Sequence, residues 1–151
     1  MVSHTTNTID KLVCIYAAVG IVINDKDQFL ISKRPSHKFK GGYWEFPGGK
    51  IEPEEESEAA LIRELKEEVG ITVLKCEQFM ELHHHENNRE TKLVIFIVRN
   101  FEGVAVPLEN QEIRWIKKEE FSEYVFLEAN SAIIKKCLDE GISSKRLDSS
   151  V

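Results

Sequence analysis

The stretch from 49 to 71 opens at one glycine and ends just past another, and between them Ala59, Ala60, Leu61, Ile62, Leu65 and Val69, good helix formers among them, recur at helical spacing. The spacing predicts an amphipathic helix from Ser57 to Val69, with Ser57 placed to cap its start and Gly70 to close its end in a left-handed conformation. On that helix Glu64, Glu67 and Glu68 lie at i, i+3 and i+4, so their side chains leave one face within reach of each other. Three like charges so close need either a cation among them or open water around them. They are hard oxygen donors of the kind Mg²⁺ or Mn²⁺ takes, and equally the residues of a solvated acidic face.

The 151 residues fit one domain, 1–151, with enough length to bury a core; 1–11 and 143–151 are polar and expected to be flexible ends. No apolar run reaches the length of a membrane span, and the start lacks the apolar segment of a signal peptide. A cytoplasmic protein with no membrane partner is expected. The formal charge of −6 disfavours a nucleic-acid polymer, which needs a basic surface to replace counterions. A small anionic nucleotide is still compatible, because metal ions can bridge carboxylates and phosphates. Cys14, Cys76 and Cys137 are far apart, odd in number and set in apolar stretches, which reads as buried free thiols. Oligomeric state is not legible.

From Leu12 to Ile23 apolar residues alternate with others that are mostly apolar too, as in a strand buried on both faces. Residues 24–27 form a polar turn and 28–33 a returning strand, which together predict a hairpin. Arg34 opens a basic loop to Gly41 and Gly42; 43–46 is a short strand, and Pro47, Gly48 and Gly49 turn into the helix. After Gly70, 71–82 reads as a strand. His83, His84 and His85 follow in what reads as a solvated loop, and neighbouring positions on an extended chain face opposite ways, against one shared ligand set. Residues 91–98 are the most apolar run and predict a central strand, with 101–106 pairing beside it after a turn near Gly103 and another strand at 113–116. Ile133, Ile134, Cys137 and Leu138 share one face of a final helix over 130–138. Strands, one helix, more strands and a final helix do not alternate as parallel β/α units, so the fold class is α+β, a mixed sheet layered between helices.

Gly49, Glu55, the run Arg63, Glu64, Leu65, Lys66, Glu67, Glu68, Val69, Gly70 and Ile71, and their spacing resemble the signature box of the Nudix hydrolases at every defined position. The resemblance implies an α/β/α sandwich and an enzyme that cleaves nucleoside diphosphates linked to another group, with Mg²⁺ (Mn²⁺ as a substitute) on the box glutamates. Glu64, Glu67 and Glu68 then resemble metal ligands, joined by the Gly48 carbonyl, while Glu55 and Arg63 resemble a structural ion pair, with Gly49 and Gly70 as structural box positions. Trp44 to Lys50 running into the box is similar to the MutT branch, which hydrolyses oxidised purine nucleoside triphosphates such as 8-oxo-dGTP to monophosphate and pyrophosphate and so prevents mutation. By the same resemblance Glu109 is a further metal-site carboxylate, Arg34 and Arg89 lie near the nucleotide, and Asn130 reads the oxidised base. Either Glu64 or Glu109 is the implied general base. The segment between Leu82 and Arg89 departs from the MutT pattern, as do Ser131 and Ala132 after Asn130.

The Asn130 reading also has its own chemistry. An amide offers one acceptor and one donor, matching the N7 hydrogen and O6 of 8-oxoguanine, whereas guanine presents two acceptors there. An asparagine before a helix is equally read as an N-cap. Other nucleoside diphosphate derivatives (a nucleotide sugar, ADP-ribose, a dinucleoside polyphosphate) remain alternative substrates, and a binding module without turnover is the alternative from a different class, although such modules are expected to lose box glutamates.

Overall fold

A computed structural model describes residues 12–38 and 40–146; the expectations for 1–11 and 147–151 lie outside the described residues. Strands β1 (Val13–Val22), β2 (Gln28–Lys33), β3 (Trp44–Glu45) and β4 (Gly48–Lys50) precede helix α1 (Ser57–Val69). Two long strands, β5 (Thr72–Glu86) and β6 (Arg89–Glu102), are followed by β7 (Glu112–Lys117), a 3-10 turn (Lys118–Glu123) and helix α2 (Glu128–Asp139). One sheet has the order β4-β1-β6-β5, with β1 and β6 parallel and the outer pairs antiparallel; a second has the order β3-β2-β7 and is antiparallel. The fold is therefore the expected α+β sandwich with a mixed sheet.

The period of two along β6 sorts its side chains into two cores. Leu93, Ile95 and Ile97 join Val19, Ile21, Phe29, Ile31 and Ile116 under Ile133 and Cys137 of α2. Val94, Phe96 and Val98 join Ala18, Val22 and Leu30 under Ala60, Leu61, Leu65 and Val69 of α1. Thus β1 is buried on both faces along its second half. Its first half is not: Val13, Cys14 and Tyr16 are exposed, so the reading of three buried thiols holds for Cys137, while Cys76 is half-buried and Cys14 open to water.

Several local expectations are corrected. The turn at 24–27 forms, with Asn24 Oδ1 accepting from the backbone N–H groups of Lys26 and Gln28, but its strands meet at a single bridge, Ile23 with Phe29, and then enter different sheets. His83, His84 and His85 lie inside β5, held in register by Lys92, Thr91 and Glu90 of β6, with only His84 turned away from solvent. Residues 104–108 form no strand. They run along the end of α1, where the N–H groups of Val106 and Leu108 donate to the carbonyls of Val69 and Glu68, satisfying helix groups that have no partner within the helix. Ser57 is the first residue inside α1 rather than its cap; the cap position is Glu56, without a side-chain hydrogen bond. Gly70 closes the helix as expected, at φ 74°. The tail 143–146 is fastened: Arg99 Nε donates to Ser143 O at 2.8 Å and Ser144 N to Asp27 Oδ1 at 2.6 Å. Among the described residues no helix is long and apolar enough to cross a membrane.

Leu65 is wholly buried where α1 meets the sheet. Leu65→Ala is expected to lower stability by about 2–5 kcal/mol, read as a lower urea midpoint at unchanged slope, because the site loses both transfer energy and packing.

Candidate active site

The site is built where α1 lies across the turn leading into β4. Gly48 and Gly49 pair with Val19 and Ala18 of β1, which brings the turn's backbone directly beneath the helix. A Cβ on Gly49 would meet the Glu64 carboxylate, and one on Gly48 would overlap the backbone of Ala18 and Val19, so at Gly48 only glycine permits this approach. One turn further along, Glu68 is 9 % exposed and its Oε1 accepts from Gly48 N–H at 3.0 Å.

Arg63 organises the other carboxylates. Its Nε and Nη2 grip the two oxygens of Glu55 at 2.9 Å each, its Nη1 donates to Glu64 at 2.9 Å and to Glu67 at 3.3 Å, and Nη2 also reaches Lys50 O. The ion pair between Glu55 and Arg63 therefore has the expected geometry, and the Arg63 hydrogen bond holds the Glu55 carboxyl down at about 2. The grip on Glu64 and Glu67 was not foreseen. Burial raises the Glu64 carboxyl in spite of Arg63, with the charges of Glu67 and Glu109 adding to it. Glu68 is pushed up to about 8, first by burial and then by the charge of Glu45, with Glu109 and Glu64 contributing.

Glu109 reaches this cluster through the loop that caps α1. Its N–H donates to Gln111 Oε1 at 2.8 Å, and Gln111 Nε2 donates to Glu68 O at 2.9 Å, so one buried amide ties the loop to the helix end. No sequence signal singled out Gln111. Glu64, Glu67, Glu68 and Glu109 are oxygen donors of the type a hard divalent cation takes, and burial and neighbouring carboxylate charge raise two of them, Glu64 and Glu68.

A cavity of about 290 Å³ extends from this turn and is lined at one end by Gly48, Gly49 and Lys50. Its wall is apolar at Ile15, Ala17, Val19, Phe46 and Leu93, and Arg34, Arg89 and Asn130 also line it, so all three expected substrate-contact residues face one space. Asn130 is no N-cap. The cap position is Leu127, and Asn130 sits in the first turn of α2, 5 % exposed, its Oδ1 accepting from Phe46 N–H at 3.0 Å. A backbone N–H can only donate, so this bond fixes which amide atom is the oxygen and leaves the NH₂ group and a second carbonyl lone pair for the cavity.

Other groups on the cavity wall were not foreseen. Glu45 is paired with Arg34 at 3.3 Å, and burial raises its carboxyl against that pairing. At the mouth His84, Glu86 and Glu128 bring one ligand-type atom each within 4.8 Å of one another, but the Lys40 ammonium already lies 3.0 Å from Glu86. Of the three histidines, His84 is the one in this cluster.

Comparison with known proteins adds three findings. A sequence model of the NUDIX domain family matches residues 18–136. The 8-oxo-dGTP diphosphatase of Escherichia coli K12 is 35% identical over 119 residues, covering 79% of this chain and 92% of the relative, and the CTP pyrophosphohydrolase of the same organism is 32% identical over 117 residues, covering 78% and 87%. A solved chain from a study of MutT from Aliivibrio salmonicida and Vibrio cholerae superposes with a TM-score of 0.74 at 38% identity, covering 84% of this chain and 98% of that one.

The Glu68 environment has a measurable consequence in chelator. The folded form holds the Glu68 proton up to about 8, while an unfolded glutamate releases it near the usual 4.5. Between those values the unfolded chain binds fewer protons than the folded one, so stability falls as pH rises. Thermal melts in chelator should show Tm declining over that window, and Glu68→Gln should flatten the decline.

Proposed function

The chain belongs to the NUDIX domain family, and from that premise we propose that its single domain is a divalent-metal-dependent hydrolase of oxidised purine nucleoside triphosphates such as 8-oxo-dGTP, yielding the monophosphate and pyrophosphate and so clearing the nucleotide pool of mutagenic precursors. The observation that carries the reading is the continuity of one cavity, from the buried amide of Asn130 to the Gly48 and Gly49 turn under the box glutamates. The similarity to 8-oxo-dGTP diphosphatases supports it.

Mg²⁺ held by Glu64, Glu67, Glu68, Glu109 and the Gly48 carbonyl would offset phosphate charge and acidify water. The chain's own groups do the remaining work. Glu64, half-buried on α1, and Glu109, on the loop that caps it, are the two candidates for the group that takes a proton from attacking water. Arg34 and Arg89 supply positive charge along the cavity for the nucleotide's anionic groups. Arg63, locked on Glu55, keeps Glu64 and Glu67 on the substrate side of α1. Asn130 sorts the base: its amide matches O6 and the N7 hydrogen of 8-oxoguanine, while guanine leaves the carbonyl facing a lone pair.

The similarity to a CTP pyrophosphohydrolase favours a second reading, hydrolysis of a pyrimidine triphosphate in the same cavity. A substrate panel with Mg²⁺ separates the two, and pyrophosphate rather than orthophosphate is the expected product in either case. Asn130→Ala is expected to shrink the ratio of kcat/KM for 8-oxo-dGTP over dGTP by roughly 5-fold to 150-fold, the worth of one lost paired contact. An unchanged ratio in a folded variant would remove Asn130 from base recognition. Glu67→Gln should stay folded, since the side chain is half exposed, yet lose orders of magnitude in kcat; wild-type turnover would sink the box assignment.

A further inference from the structure

The mouth of the cavity carries polar groups that hydrolysis does not need. Two of them, His84 and Glu86 on β5, bond to each other at 3.2 Å, and the Lys40 ammonium pairs with Glu86 at 3.0 Å. Glu86 is thus held from two sides. Glu128, on the first turn of α2, lies within 4.8 Å of this pair by its nearest ligand-type atom, yet among the described residues its carboxylate makes no hydrogen bond or ion pair. It lines the cavity two residues before Asn130. A second carboxylate this close to Glu86 favours whatever brings hydrogen-bond donors to it.

Resting on the reading of Asn130 given above, we infer that Glu128 is a specificity residue that accepts the N1–H and N2–H₂ donors of the guanine ring. On that ring N7, O6, N1 and N2 follow one another around one side. A reader of N7 and O6 and a reader of N1 and N2 must therefore face one space, as Asn130 and Glu128 do in lining the same cavity from the first turn of α2. Two parallel donors meeting a carboxylate form a charge-assisted, bidentate contact. Adenine turns a lone pair at N1 toward the same carboxylate, and cytosine one at N3, so Glu128 selects guanine whether or not the base is oxidised. Asn130 then selects the oxidised form. The division fits a rim carboxylate that, among the described residues, makes no hydrogen bond of its own and feels Lys40 only through its charge, while its neighbour Glu86 is bonded to the Lys40 ammonium.

The test compares 8-oxo-dGTP with 8-oxo-2′-deoxyinosine triphosphate, which lacks only the N2 amino group, in the wild type, Glu128→Ala and Glu128→Gln, with dGTP as a third substrate. The wild type should favour 8-oxo-dGTP over the inosine analogue by about tenfold in kcat/KM, and both variants should bring that preference to within about twofold. The ratio of 8-oxo-dGTP to dGTP, which follows Asn130, should move by less than about twofold. A wild type that treats the two oxidised substrates alike, or a folded Glu128→Ala that keeps the preference, overturns the assignment. Failure of the Asn130 reading shows separately, as a ratio of 8-oxo-dGTP to dGTP that Asn130→Ala leaves unchanged.

Discussion

Two carboxylates of α1 rest directly on the backbone of a glycine turn, Glu68 accepting from Gly48 N–H and Glu64 lying where a Gly49 side chain would be. This contact fixes the helix over β4 and β1, and it gathers charges that repel one another. Burying a carboxylate without a full set of partners is costly, and here the cost is visible in the raised Glu64 and Glu68 carboxyls. Arg63 offsets part of it from the outer side, with Glu55 holding the guanidinium in place. A cation on the inner side would offset the rest. The packing of Leu61, Leu65 and Val69 beneath the same helix supplies the apolar burial that makes such an arrangement tolerable.

The second half of the site depends on the other helix. Ile133 and Cys137 seat α2 on the opposite face of the sheet, and its first turn delivers Asn130 to the backbone of Phe46, one residue before the Pro47 and glycine turn. The segment that leads into the box thus also orients the Asn130 amide. Both ends of the cavity are referenced to the same short segment, 44–49, which accounts for how two helices on opposite faces of the sheet can serve one substrate.

Much of α1 was legible because its information is local. Apolar spacing, the glutamates at i, i+3 and i+4, and Gly70 all act within one element, and the helix runs from Ser57 to Val69 as read. The unbroken apolar run in 91–98 likewise marked the central strand. What could not be read depends on distant partners. Nothing within 104–108 says that the N–H groups of Val106 and Leu108 serve the carbonyls of Val69 and Glu68, and nothing near Gln111 says that its amide ties the Glu109 loop to α1. His83, His84 and His85 look like a loop until β6 pairs with them, and Asn130 looks like a cap until α2 is seen to begin at Glu128. The Lys40 bridge to Glu86 joins a loop to a strand far along the chain, and neither residue type marks it.

The central claim is that the box carboxylates above the Gly48 and Gly49 turn form the cation site of the enzyme. Titration of Mn²⁺ followed by electron paramagnetic resonance, on the wild type and on Glu64→Gln, tests it without relying on any substrate. The account predicts that the wild type binds Mn²⁺ and that the amide variant, folded by circular dichroism, binds it at least about tenfold more weakly. Equal affinity in the two proteins would contradict it.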